Sequence, residues 1–288
     1  MINLIKMDFF RLFKARNTYI TLLFVVAFSL ILFGMSSAFG SESMAKSEDG
    51  GENIMYSEIT EQETQEIKSG NGGVGFVLSE FTADTPIKLD ALLAGFLSSG
   101  FFLIFSGIFI TNMVCDRYKC GFQKNLNIYA KQKWQLVVSE NISMFIFAAV
   151  EIILAVAAIS ICSVFYFNNF SVGNLSSLIR YLGMQILMHY AFATLIMCFA
   201  ELLRGKIVCI TLTCLLSMGI GGVIMNKLDS IFEFENFSFA KSAIDYHIKL
   251  MPLKFDGELW GQAIAVVIFS IIVYNAISAL IVSKRDLA

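Results

Sequence analysis

The chain of 288 residues is 57% hydrophobic and only 15% charged, with a mean hydropathy of +0.71. Soluble domains carry about 25% charged residues, so the composition excludes an ordinary water-soluble globule, and several apolar runs of roughly 20 residues place the chain in a bilayer. The net charge of −2 says little about partners, because in a membrane protein the placement of charge matters more than its sum.

Residues 2–16 are not apolar enough to enter a membrane. Ile2, Ile5, Phe9, Leu12 and Phe13 share one helical face and Asn3, Lys6, Arg11 and Lys14 lie opposite. That pattern predicts an amphipathic helix over 1–17, lying in the headgroup layer with its basic side towards solvent and anionic lipid. Residues 18–39 form an apolar run long enough to cross the hydrocarbon core. It exceeds a usual signal-peptide core, so it reads as a retained anchor and not a cleaved signal. Residues 40–90 hold eleven acidic residues against Lys46, Lys68 and Lys88. Thr60 and Glu63 make a capping box, and a glycine-rich stop follows at 69–73. This segment reads as an acidic outer loop; its charge either steers a cationic substrate or simply reflects the avoidance of Lys and Arg outside.

Five further spans are expected at 89–115, 141–167, 178–202, 207–225 and 260–282. With the N-terminus inside, thirteen basic residues fall on the cytoplasmic side and eight outside or at the outer boundary, which orients the chain with both termini in the cytoplasm. Between the second and third spans, residues 116–140 form a basic cytoplasmic segment carrying Arg117, Lys119, Lys124, Lys131 and Lys133. Residues 226–259 are too long for a turn and form an outer segment before the last span, with a short helix expected over 244–250, ending before Pro252. The two prolines, Pro86 and Pro252, leave the spans free of proline kinks. The six cysteines lie within spans or at their inner ends, so buried small side chains are expected and no disulfide framework. The expected fold is therefore an all-α integral membrane protein of six transmembrane helices with an N-terminal amphipathic interfacial helix.

Ionisable groups inside spans are the first candidates for chemistry. Glu151 and His189 fall at similar depth in antiparallel neighbours, close enough to hydrogen-bond each other; they form part of a translocation path or latch, or a satisfied structural pair. Gln185 and Asn275 are further buried polar candidates. Small residues recur four apart as Ala91, Gly95, Ser99 and as Thr213, Ser217, Gly221, letting helices approach closely within the chain or between two chains. Enzyme readings lack support. The two histidines, His189 and His247, sit in no His-Glu-x-x-His helix, and no phosphate-binding Gly-x-x-x-x-Gly-Lys-Ser/Thr loop is present. No catalytic, cofactor-binding or metal site is expected, and nothing points to nucleic acid.

The layout resembles the type-2 ABC transporter permeases, the six-span membrane subunits of bacterial exporters, over nearly its whole length. The likeness lies in the amphipathic first helix, the long outer loop after span one, the extended outer segment before span six and, most sharply, the central loop. Many family members carry there an acidic residue, then a glycine, then a basic–Asn pair; Asp116, Gly121, Lys124 and Asn125 stand in those roles. Phe122 replaces the usual small hydroxyl residue, and Glu140 stands where a basic residue is expected. The resemblance implies one permease domain over 1–288 in a bacterial plasma membrane, paired with a second, identical or similar permease chain. Two separately encoded cytoplasmic ATPase subunits would bind the ATP and Mg; this chain would bind no cofactor. The 116–140 segment would be the coupling element, and spans two and five, with their small-residue ladders, would meet at the dimer axis. Export of a peptide, as in antimicrobial-peptide export or immunity, or of a lipid-like substrate is the implied function. The rival classes are a receptor or sensor using the 40–90 loop and a membrane-embedded enzyme.

Overall fold

The computed structural model describes residues 2–47, 88–119, 134–167, 171–232 and 238–284. Ten α-helices run through the described residues: α1 (Ile2–Lys14), α2 (Arg16–Ser47), α3 (Leu89–Ser98), α4 (Phe102–Lys119), α5 (Trp134–Tyr166), α6 (Leu175–Leu203), α7 (Lys206–Ser217), α8 (Ile220–Phe232), α9 (Ile244–Leu250) and α10 (Gly257–Lys284). No strand occurs among them. Four helices, α2, α5, α6 and α10, are long and apolar enough to cross a membrane, and the pairs α3–α4 and α7–α8 each pass the same test as a bent unit. Four to six candidate spans are consistent with a multi-pass membrane protein. The capping box at Thr60 and Glu63, with most of the 40–90 loop, lies outside the described residues.

The two bends are glycine bends. Freedom from proline does not make a helix straight: α3 and α4 meet at 51° across Gly100, and α7 and α8 at 67° across Gly219. Gly100 has φ +79° and Gly219 φ +93°, a region that side chains disfavour and that ends a helix without proline.

Helix α6 is the axis of the bundle. Its apolar window is 61% buried, against 17% for α10, because α6 packs against α4, α5, α7 and α10 at once. Tyr181, Met188, Ala191, Phe192 and Ile196 are buried along it. Helices α2 and α10 lie at the periphery. On α2, Val25, Ser29, Leu32, Phe33 and Ser36 make a buried stripe at helical spacing, while Leu23, Phe24, Leu30 and Ile31 are exposed. A helix that is apolar all round but buried on one side only is what lipid contact selects.

Helix α1, the end of α4, the start of α5 and the α6–α7 turn share one end of the bundle. At the opposite end, Asp90 accepts the backbone N–H of Asn174 at 2.8 Å, and Leu89 donates to the Ser171 carbonyl at 2.9 Å. Asn174 in turn caps α6 through the N–H groups of Ser176 and Ser177. Helix α1 is amphipathic, but it docks through a face neighbouring the one its apolar pattern marks. Leu4, Asp8 and Leu12 are buried, whereas Phe10 and Phe13 are 61% and 58% exposed. Of the expected lipid face, Leu12 is buried, Ile5 and Phe9 are half-buried and Phe13 stays open, and the polar Asp8 helps seat the helix.

Candidate functional site

At the end that carries α1, α4 finishes with Asp116-Arg117-Tyr118-Lys119 and α5 begins at Trp134. These two helices flank the central part of the expected coupling segment. Arg117 is 1% exposed and is among the largest fully buried side chains. Its guanidinium is held by Glu140 of α5 through Nη1 and by Glu201 of α6 through Nη2. The Tyr118 hydroxyl donates to the other oxygen of Glu201. The Arg204 guanidinium lies over the Tyr118 ring, 4.2 Å from its centroid. Arg204 itself ends α6 in the left-handed region, with φ 53°, so that α7 can start at once. Lys206 then reaches back to Asp116 at 3.3 Å in a half-exposed ion pair.

The cluster continues into α1. Asp8 is 2% exposed and accepts from Ser139 of α5 and, at 3.3 Å, from Arg11. Burial pushes the Asp8 carboxyl above its usual range, with Ser139 and Arg11 pulling the other way. Arg11 also donates to the Met113 carbonyl of α4 at 3.1 Å. A chain of polar contacts thus joins α1, α4, α5, α6 and the start of α7. Guanidinium is the right group for its centre, because its planar fork pairs two carboxylates at once without giving up its charge.

This geometry corrects two readings. Arg117 is not a contact offered to a cytoplasmic partner: with 1% of its surface open, it is an internal pin. Glu140, out of place against the family pattern, is the counter-charge that makes the burial of Arg117 tolerable. Asp116 remains half exposed. Of the other coupling candidates, Lys119 ends α4, while Gly121, Lys124, Asn125, Lys131 and Lys133 lie outside the described residues. Sequence reading missed Glu201, Asp8 and Ser139. A signal existed in Glu201 and Asp8, since each is a carboxylate beside an apolar helical stripe.

Mid-bundle, Glu151 and His189 are both fully buried but do not pair. Ser106 of α4 donates to Glu151, while His189 Nδ1 lies 2.8 Å from the carbonyl of Gln185 one turn back. Depth along a helix fixes height and leaves rotation open, and here the two side chains turn to different neighbours. Gln185 donates to the Tyr181 hydroxyl at 2.8 Å, which donates to the Ala94 carbonyl at 3.1 Å. Asn275 accepts from Asn141, and the Tyr190 hydroxyl donates to Asn141 at 2.9 Å, tying α5, α6 and α10 together. Asn141, at the very start of the expected span 141–167, and Tyr190, an aromatic within an apolar run, escaped sequence reading.

The small-residue ladders resolve in part. Ser99, Thr213 and Ser217 are buried inside the chain. A Cβ on Gly107 of α4 would stand 2.1 Å from Thr213 Cγ2, so α4 and α7 pack directly on each other. Those positions serve an interface within the chain, and cannot also be surface for a second copy. Ala91 is exposed, Gly95 is half-buried and Gly221 packs beside Leu216 and Asp245. Among the described residues no group of three His, Cys, Asp or Glu is placed to hold a metal ion. No protein-family model matches the chain, and a search of curated proteins finds no match.

Proposed function

We propose that the chain is the membrane-spanning permease subunit of an ATP-driven ABC exporter, with six spans, both termini cytoplasmic and a second permease chain as partner. The observation that carries this reading is the buried pin at the base of the 116–140 segment. A segment that transmits work from a soluble motor needs both of its ends fixed in the bundle. The Arg117–Glu140–Glu201 cluster ties the helix before the segment to the helix after it and to the central helix α6. The contacts of Asp8 with Ser139 and of Arg11 with the Met113 carbonyl add α1 to the same rigid body. The chain has no phosphate-binding loop of its own, so the motor is a separate ATPase. A peptide or lipid-like molecule is the substrate class, on the family resemblance and the acidity of the 40–90 loop.

The test is co-purification of the tagged chain from its native membranes in mild detergent. A nucleotide-binding ATPase is expected in the eluate at one copy per permease chain, and Lys124→Glu is expected to remove it while leaving the chain folded. An eluate free of any ATPase contradicts the reading. Arg117 is unsuited to this experiment, because its replacement damages the bundle itself.

A further inference from the structure

The two glycine bends lie side by side at the end of the bundle away from α1. A Cβ on Gly100 would stand 3.0 Å from the Ser217 carbonyl oxygen, and one on Gly219 would stand 2.6 Å from Lys249 Nζ. The Cε of Lys249 is 3.8 Å from both of those positions. One side chain of the short helix α9 therefore reaches the place where both bends meet.

A break inside a helix creates two oppositely polarised ends. The last carbonyls of the first half carry partial negative charge, and the first N–H groups of the second half carry partial positive charge. Helix α9 brings the complementary charge to each. Lys249 donates to the carbonyl of Met218, the C-cap of α7, at 3.4 Å. Asp245, one turn earlier on α9, lies beside the first turn of α8, its carboxylate oxygens 3.9 and 4.0 Å from where a Cβ on Gly221 would stand. A Cβ on Gly222 would stand 3.4 Å from Asp245 Oδ2, which places the carboxylate against the N-terminal end of α8. Ile244 and Ile248 of α9 are 5% and 0% exposed, so the helix is seated by apolar contact and oriented by its two charges.

We propose that α9 is a latch: Asp245 and Lys249 hold α7 and α8 in their bent form, and withdrawal of α9 is the step that opens the bundle at this end. The side chains of Ser99 and Ser217, beside the two bends and each no more than 1% exposed, are the hydroxyl-bearing surface that withdrawal uncovers. Polarity distinguishes the latch from an ordinary Asp–Lys pair at i, i+4: the acid belongs on the N-terminal end of α8 and the base on the C-terminal end of α7. The proposal is independent of any ATPase partner.

The experiment uses the full chain in lipid nanodiscs with Ser99→Cys as reporter and a membrane-impermeant maleimide, against the same chain without the reporter. Labelling of the reporter is expected to be slow with the latch intact. Asp245→Asn with Lys249→Met is expected to speed it about tenfold, the size set by losing two charges at helix ends. The exchanged pair, Asp245→Lys with Lys249→Asp, is expected to label as fast as the neutral pair, because each charge then faces the wrong helix end. Protection restored by the exchange, or labelling unchanged in the neutral variant, overturns the proposal. Should the neutral variant fail to insert, hydrogen exchange on the unsubstituted chain decides: residues 218–222 and 244–250 must exchange in step, and independent exchange overturns it.

Discussion

Arg117 sets the energetics at the residue scale. Its charge is removed from water, and two carboxylates from different helices replace the lost hydration. Removing one partner of such a cluster leaves an uncompensated buried charge and costs about 3–5 kcal/mol. Glu140→Gln and Arg117→Met are each expected to lower the thermal midpoint of the detergent-solubilised chain sharply. Glu140→Lys is expected to be worse than either, since it sets a second cation against Arg117. Equal midpoints for Glu140→Lys and the parent would remove Glu140 from the pin. Gly107 makes a second, simpler case. Its missing Cβ is filled by the Thr213 methyl, so Gly107→Ala is expected to cost about 1–3 kcal/mol by overpacking, and adding Thr213→Ala is expected to recover most of it. Failure of that rescue, read from the same thermal midpoints, would mean that α4 and α7 are held apart by something else.

At the scale of the element, legibility in sequence followed the kind of interaction. Apolar length and the 3.6-residue period located the long helices but not all of their ends, because burial in lipid or core acts on the apolar stretch and not on the turns that extend it. Segment 141–167 was expected and α5 runs Trp134–Tyr166; segment 178–202 was expected and α6 runs Leu175–Leu203. The glycine bends were not legible, since glycine is common in apolar helices and only φ decides which one breaks the helix. Partner choice was also hidden: Glu151 and His189 matched in depth, yet Ser106 and the Gln185 carbonyl took them. Helix α9 was expected over 244–250 and is found there, and it gives a pH prediction. Burial lowers the pKa of His247 below its ordinary 6.5. A depressed pKa means that the contribution of neutral His247 is present above pH 6.5 and lost as pH falls through the lowered value. The charged groups around it shift too: burial raises Asp245 and lowers Lys249, and Lys241 supplies the carbonyl 2.7 Å from its Nε2. Protection of 244–250 in hydrogen exchange, corrected for intrinsic rate, is expected to fall as pH drops below 6.5 and to stay flat in His247→Gln. A flat profile in the parent chain would contradict the assignment.

On the scale of the whole molecule, the bundle has two unlike ends joined by the buried axis α6. One end holds the charged pin and the flanks of the 116–140 segment; the other holds the Asp90–Asn174 contact and the latch of α9. Such an arrangement suits a protein that receives a mechanical input on one side of a membrane and opens on the other. With six spans, single cysteines at Lys206 and Ser176 are expected to react with an impermeant reagent from opposite sides of sealed vesicles, and reaction from the same side would reduce the span count. The central claim is that residues 116–140 grip a separate ATPase, and photo-crosslinking in living cells tests it most directly. A benzophenone amino acid in place of Lys124 is expected to yield one dominant adduct with a nucleotide-binding ATPase, whereas the same probe at Leu175, at the opposite end, yields none. Adducts only with lipid or with a second copy of this chain at position 124 would contradict it.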